Sequence, residues 1–394
     1  MESPKAHTIF NASLLQWICV FIFVGIVILG LWPFTFWPQN QVRWLHNENG
    51  IRFDGRGLVY GLENPKTIAS QSGTEHALTV DLWLKPDREP DDNVPVFLTI
   101  YDRSTLDAIL LAQWRSELIV RRQNLGTPLA FREFGVTNVL NTGERRIITI
   151  TFNASRTAVF VDGRLRGQHP ANLLSNLDKQ SIGWVLGNTP NGRSSWRGDV
   201  FAVALYDRPL TPDDVARNYS GWSRTGLPQL SRDEGLVGLF SFREHVGEFA
   251  RNQIEPEEYF RIPRVFEPPQ REILTDPWKD FQIKRSYLLD MAVNILGFIP
   301  VGFFFAAWFT QSWRLSARKA FLVTLILAAV LSLSIELTQA WIPSRDSQVM
   351  DLIMNTFGAA LGALAFARLS DTAGRRGLRE PMDGRASGDI QDWS

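Results

Sequence analysis

Between Asp290 and Gly362, three apolar segments carry acids and amides where a membrane helix should carry none. Asp290 pairs in spacing with Asn294, Glu336 with Gln339, and Asp351 with Asn355, and Gly358 and Gly362 continue the last series. Intervals of three and four gather side chains along one face of a helix. A charged side chain near the centre of a bilayer costs about 2.5–3.5 kcal/mol on insertion scales. Asp290, Glu336, Asp346 and Asp351 are therefore not expected to face lipid. They face one another, a cavity or water.

The rest of the chain gives that block its setting. Leu14 to Trp32 is an almost unbroken apolar run, long enough to cross a hydrocarbon layer of about 30 Å. It ends in Trp32, Phe34, Phe36 and Trp37, interleaved with prolines. Bulky aromatics there suit a membrane interface and not a peptidase site, which predicts a retained helix. The expected order is an N-terminus at 1–12, a first span at 13–33, a soluble domain at 41–266 and a linker at 267–284. Region 286–369 then supplies three more spans, near 288–309, 320–341 and 352–367, before a disordered tail at 370–394.

The middle region has a different period. Leu78–Leu84, Val96–Tyr101, Ile147–Phe152, Ala158–Val161 and Val200–Tyr206 alternate in polarity and are rich in β-branched and aromatic residues. Broken by Gly, Asn, Asp and Pro, they predict an antiparallel sandwich. Gly235–Phe242 and Tyr259–Phe266 are expected to add closing strands. Asp162-Gly163 predicts a tight hairpin. Thr211-Pro212-Asp213-Asp214 predicts a helix start, with a hydroxyl cap, proline in the first turn and acids at the positive end.

Two resemblances follow from these residues. The distributed pattern from Tyr287 to about Leu369, with an N-terminal apolar helix, resembles the VanZ-like family of bacterial membrane proteins. Gly50–Phe53, Leu78–Pro86, Val159–Gly163, Trp196–Asp199 and Ala204–Leu210 look like successive strands of a laminin-G-like, concanavalin A-like jelly roll. Together they imply a multi-domain membrane protein. Its four-helix bundle would carry an all-β jelly-roll sandwich inserted after the first span. The VanZ-like resemblance implies an envelope role, linked in that family to glycopeptide (teicoplanin) resistance and to polysaccharide genes. It attaches no secure reaction.

The 41 basic and 41 acidic residues cancel, which leaves no pull toward nucleic acid. The single cysteine, Cys19, rules out an intrachain disulfide. Arg314, Arg318 and Lys319, and the basic start of the tail at Arg368, predict cytoplasmic placement of that loop and both termini. The jelly roll would then lie outside the inner membrane. Lys284 and Arg285, on the outer flank, run against this.

With that orientation, Asp290, Asn294, Glu336, Gln339, Arg345, Asp346, Asp351 and Asn355 converge at the external ends of their spans. They are the expected binding residues, with Glu336 and Asp351 as candidate catalytic groups. One reading is structural: interfacial caps, interhelical hydrogen bonds and close helix contact at Gly358 and Gly362. The other is a polar pocket for the headgroup or sugar of a lipid-linked precursor, with Arg345 on a phosphate and Glu336 as base. No cofactor and no metal are expected. Asp91-Asp92-Asn93 reads as a solvated turn more readily than a calcium loop. On the jelly roll, Trp83 and Trp196 read as packing residues and Trp114 as a possible sugar-stacking ring. Expected partners are the lipid bilayer, an envelope glycan or lipid-linked precursor, and a protein met through the jelly roll.

Overall fold

The computed structural model describes residues 11–61, 77–90, 93–174, 181–276 and 285–377. They form two compact units, one of Phe36–Arg271 and one of Met1–Thr35 with Glu272–Ser394.

Among its described residues the first unit is all-β apart from one α-helix and a single 3-10 turn. Its strands are β1 (Val42–Trp44), β2 (Ile51–Asp54), β3 (Val59–Gly61), β4 (Leu78–Pro86), β5 (Val96–Asp102) and β6 (Asp107–Trp114). They continue with β7 (Glu117–Asn124), β8 (Thr127–Val136), β9 (Arg146–Asn153), β10 (Arg156–Val161) and β11 (Arg164–His169). The last are β12 (Ile182–Leu186), β13 (Arg197–Tyr206), β14 (Leu236–Phe240), β15 (Phe249–Arg251) and β16 (Tyr259–Arg261). One antiparallel sheet runs β1-β2-β13-β4-β9-β10-β11, with β14 also on β13. The other runs β15-β16-β3-β12-β5-β6-β7-β8.

Period two decides which side each residue faces. On β4, Leu78, Val80, Leu82 and Leu84 enter the core shared by the two sheets. Trp83 turns to the opposite face and packs with Tyr206 and Trp222 in a second core. Trp222 belongs to the α-helix of this unit, Pro212–Thr225, which is capped as its sequence predicts. Thr211 Oγ1 accepts from the Asp214 N–H at 3.2 Å, and the Asp214 carboxylate accepts from the Thr211 N–H at 3.1 Å. Such a cap contributes about 1 kcal/mol.

Asp81 sits beneath that helix. Its Oδ1 accepts from Thr149 Oγ1 at 2.6 Å, and its Oδ2 from Asn218 Nδ2 and Trp222 Nε1, both at 3.2 Å. Burial pushes this carboxyl above its ordinary range, against the pull of those donors. At the hairpin, Asp162 and Gly163 have φ values of 50° and 77°. Two positive φ values in a two-residue loop match the twist of the strands it joins.

The second unit contains four helices long and apolar enough to cross a membrane. In chain order they are α1 (Ala12–Leu31), α3 (Arg285–Gln311), α4 (Ala317–Gln339) and α5 (Val349–Gly377), the capped helix Pro212–Thr225 of the other unit being α2. Polar side chains within the spans turn back on their own backbone. Thr310, Ser334, Thr338 and Thr356 each donate to the carbonyl four residues earlier, which spares a hydroxyl from facing hydrocarbon. Phe298, Val301, Phe305, Leu331, Ile335 and Ala359 pack with Cys19 in the bundle core.

α5 begins before and ends after the span expected at 352–367, because its charged C-terminal turns keep their intrahelical hydrogen bonds beyond the apolar stretch. Residues 370–377, expected in a disordered tail, are helical; 378–394 lie outside the described residues. So do Asp91 and Asp92, and 277–284 of the expected linker. The part of the linker at Leu274–Thr275 is not a free tether. Thr275 donates its N–H to the Ser347 carbonyl at 2.9 Å, and the Val349 N–H donates to the Thr275 carbonyl at 3.2 Å.

Candidate functional site

The helix ends in the membrane unit come together for a reason visible at α1. Leu29 would ordinarily accept from the residue four later, but that residue is Pro33, which has no N–H. Phe34 donates instead to Leu31 at 2.8 Å, which leaves Gly30 without a backbone donor. Side chains from the other end of the chain fill both vacancies. Gln339 Nε2 donates to the Gly30 carbonyl at 2.7 Å. Arg345 donates from Nη2 to Leu29 at 3.4 Å and from Nε to the Trp32 carbonyl at 2.8 Å. A cation is also favoured at this negative end of the helix.

Beside this joint lies a cavity of ≈ 480 Å³. Asp290, Asn294, Glu336, Gln339, Arg345, Asp346, Asp351 and Asn355 all line it. The three helices contribute at one end: Asp290 and Asn294 early in α3, Glu336 and Gln339 late in α4, Asp351 and Asn355 early in α5. The structure thus brings every one of the sequence-predicted site residues to one place.

Their environments differ. Glu336 is 2% exposed, and its Oε2 accepts from the Gln348 N–H at 2.9 Å. Its other oxygen has no hydrogen-bond partner among the described residues. Asp351 Oδ1 accepts from Asn294 Nδ2 at 2.7 Å, which ties α5 to α3. Asn355 Nδ2 donates to Ser332 Oγ at 2.9 Å, which ties α5 to α4. Asp290, Arg345 and Asp346 are exposed on the cavity rim.

Arg345 therefore differs from the sequence expectation. Two of its nitrogens serve the end of α1, and it makes no ion pair with Glu336 among the described residues. Gln348 escaped the sequence reading because it acts through its backbone N–H, on which side-chain identity leaves no mark. Among the described residues, no histidine lines the cavity. Among the described residues, no three His, Cys, Asp or Glu side chains are grouped to hold a metal ion.

On the jelly roll, Trp196 is core, packed between Phe53 and Phe97 with its Nε1 donating to Gln113 Oε1 at 2.8 Å. Trp83 packs on Phe201 and Trp222. Trp114 is 43% exposed at the β6–β7 turn, with the Arg115 guanidinium 5.6 Å from its ring centre.

The fold and cavity define a class: a multi-pass helical membrane protein bearing a two-sheet antiparallel sandwich. Residues 240–370 match the family model described as VanZ/LLP1, and residues 63–216 match that of the concanavalin A-like lectin/glucanases superfamily. Region 240–370 is thus VanZ-like and region 63–216 laminin-G-like and concanavalin A-like, the jelly roll following the first apolar helix in the chain. No curated protein matches it.

Among solved structures, it is similar to a putative carbohydrate binding protein from Bacteroides ovatus ATCC 8483, at 12% identity and a TM-score of 0.39. That match covers 55% of this chain, which spans 59% of the length of that protein. A second is the CBM40 of the Ruminococcus gnavus IT-sialidase bound to α2,3 sialyllactose, at 13% identity and a TM-score of 0.35, covering 43% of this chain and 95% of that one. A third is the receptor binding domain of botulinum neurotoxin C/D mosaic serotype, at 13% identity and a TM-score of 0.34, covering 48% of each chain.

Proposed function

We propose that this is a cell-envelope protein that holds the sugar headgroup of a lipid-linked polysaccharide precursor in its helix-bundle cavity. The concanavalin A-like domain engages envelope glycan on the outer side of the inner membrane. The observation that carries this reading is the meeting of eight polar side chains around one cavity of ≈ 480 Å³. That volume falls in the range of roughly 300–1,000 Å³ typical of small-molecule sites. The lectin/glucanase description of the family model supports the glycan role of the sandwich. A protein partner met through the sandwich, and a role in glycopeptide resistance, extend the same reading.

The orientation is part of the proposal. Arg314, Arg318 and Lys319 lie between α3 and α4, and basic loops stay cytoplasmic. Single cysteines at Asn93 and Arg318, in a Cys19→Ser background, test it: impermeant maleimide is expected to reach only position 93 in intact cells. Labelling of position 318 instead would reverse the membrane sides and reject the outer-leaflet site.

The functional test is full-length protein in nanodiscs, probed against an array of envelope glycans and short-chain glycolipids. Retention of glycolipid by wild type, reduced in Glu336→Gln, is the expected result. Equal retention by both would remove the cavity from the function.

One observation favours an alternative, a membrane enzyme acting on lipid-linked intermediates. Glu336 is buried with one carboxylate oxygen unpartnered among the described residues, as a general base would be. Product formed from a retained glycolipid separates the two readings, since a binding protein returns it unchanged.

A further inference from the structure

The donors and acceptors around the cavity are unequally committed. Asn294, Gln339, Arg345 and Asn355 each have a side-chain nitrogen donated into the protein, to Asp351, Gly30, Trp32 and Ser332 respectively. The carboxylates are less occupied. Glu336 has one oxygen bonded, Asp351 has one, and Asp290 has no partner among the described residues. Among the described residues, four carboxylates line the space against one guanidinium, and that guanidinium is turned to the end of α1. The positive end of α5 is already met by Asp351 in its first turn.

A ligand must complement this surplus of acceptors. A phosphate would bring more acceptors and more negative charge to a wall that has few donors left. An ammonium group brings three N–H donors and a charge of the right sign. Glu336 is the anchor, because a buried carboxylate with an open oxygen gains most from a charged donor.

We infer that the cavity recognises a primary ammonium group, held by Glu336 and Asp351 with Asp290 at the rim, and that these carboxylates do not hold a phosphate. The inference rests on the proposed headgroup role of this cavity and names the chemistry that role requires. Two sources carry such a group: an amino sugar, and the ethanolamine headgroup of a phospholipid.

The experiment uses the full chain in detergent micelles, read by native mass spectrometry and thermal stabilisation. Five probes are offered: glucosamine, N-acetylglucosamine, and short-chain phosphatidylethanolamine, phosphatidylcholine and phosphatidylglycerol. The expected result is binding of glucosamine, of phosphatidylethanolamine or of both, about tenfold tighter than the probe with the masked amine. Glu336→Gln should erase that preference. Asp290→Asn, at an exposed position where folding is not at stake, should weaken it.

N-acetylglucosamine binding as well as glucosamine would overturn the ammonium inference and leave the sugar reading standing. Preference confined to phosphatidylethanolamine would support the ammonium and replace the sugar by a phospholipid headgroup. Preferred binding of phosphatidylglycerol, or no binding of any probe, would overturn the inference.

Discussion

Gln339 Nε2 donates to the carbonyl oxygen of Gly30 at 2.7 Å, across 309 residues of sequence. With Arg345 it supplies what Pro33 and the turn after α1 take away, so these residues close a helix end as well as line a cavity. Interhelical bonds of this kind average about 0.6 kcal/mol, with a maximum near 1.7. Gln339→Leu alone should therefore cost little, and Gln339→Leu with Arg345→Ala should loosen the seat of α1. Cys19 is the natural reporter, since it is buried on α1 against the bundle core. Its maleimide labelling in detergent should rise in the double variant. Labelling unchanged from wild type would mean the carbonyls of α1 need no partner.

Gly302 lies so near α5 that a Cβ on it would stand 1.9 Å from the Ala359 carbonyl oxygen. The relation is repeated at Gly358, 2.2 Å from the Ile295 oxygen, and at Gly362, 2.0 Å from the Ile299 oxygen. These neighbours are backbone, so α3 and α5 could admit a side chain only by separating. Gly302→Leu and Gly362→Leu should lower the amount of protein in the membrane fraction severalfold. Gly25, with nothing within 4 Å of its added Cβ, is the control, and Gly25→Ala should keep wild-type abundance. Equal abundance of all three would show that the close contact is not needed.

This close contact and the alternating strands were legible because both are periodic. Spacings of four carry Gly358 and Gly362, and spacings of two carry Leu78 to Leu84. The eight polar residues were legible too, because a membrane span makes each acid conspicuous. What escaped was non-local or carried by backbone. Nothing near Arg345 says that it completes a helix more than 300 residues earlier. The strands β6 and β7 were missed because Gln113, Arg121 and Arg122 interrupt the apolar pattern, although Gln113 is buried and bonded to Trp196, Arg88 and Arg115.

The jelly roll should be acid-labile, for a reason centred on Asp199. This residue is 1% exposed on β13, facing Arg52 on β2 and Lys85 on β4 in register. Arg52 Nε and Nη2 reach its two oxygens at 2.6 and 2.8 Å, and Lys85 Nζ lies at 2.7 Å. Burial raises its pKa, but those two cations outweigh burial and leave it below the ordinary value. A depressed carboxyl stabilises the fold fully above the unfolded pKa, about 3.9, and ceases to do so as pH falls through the folded pKa. Residues 36–271, expressed alone, are expected to give a β-type circular dichroism spectrum and to lose thermal stability below about pH 4. Asp199→Asn should cost about 2 kcal/mol at pH 7 and flatten that dependence. An unchanged acid limb in the variant would assign the effect to other carboxyls, such as Asp214.

Glu336 should matter to activity more than to folding. Its single observed bond is from the Gln348 N–H, and a glutamine side chain offers the same carbonyl oxygen to that donor. Glu336→Gln therefore keeps the contact and removes only the charge, whereas Gly358→Leu keeps every charge and forces α5 away from Ile295. The two variants separate chemistry from packing. Glu336→Gln is expected at wild-type abundance in the membrane, with retention of amine-bearing probes reduced about tenfold. Gly358→Leu is expected to lose abundance first, and probe retention only in proportion. If Glu336→Gln instead falls in abundance as far as Gly358→Leu, its carboxylate serves the helix packing. If it retains both abundance and binding, the charge has no role, and the cavity is shaped by its hydrogen bonds alone.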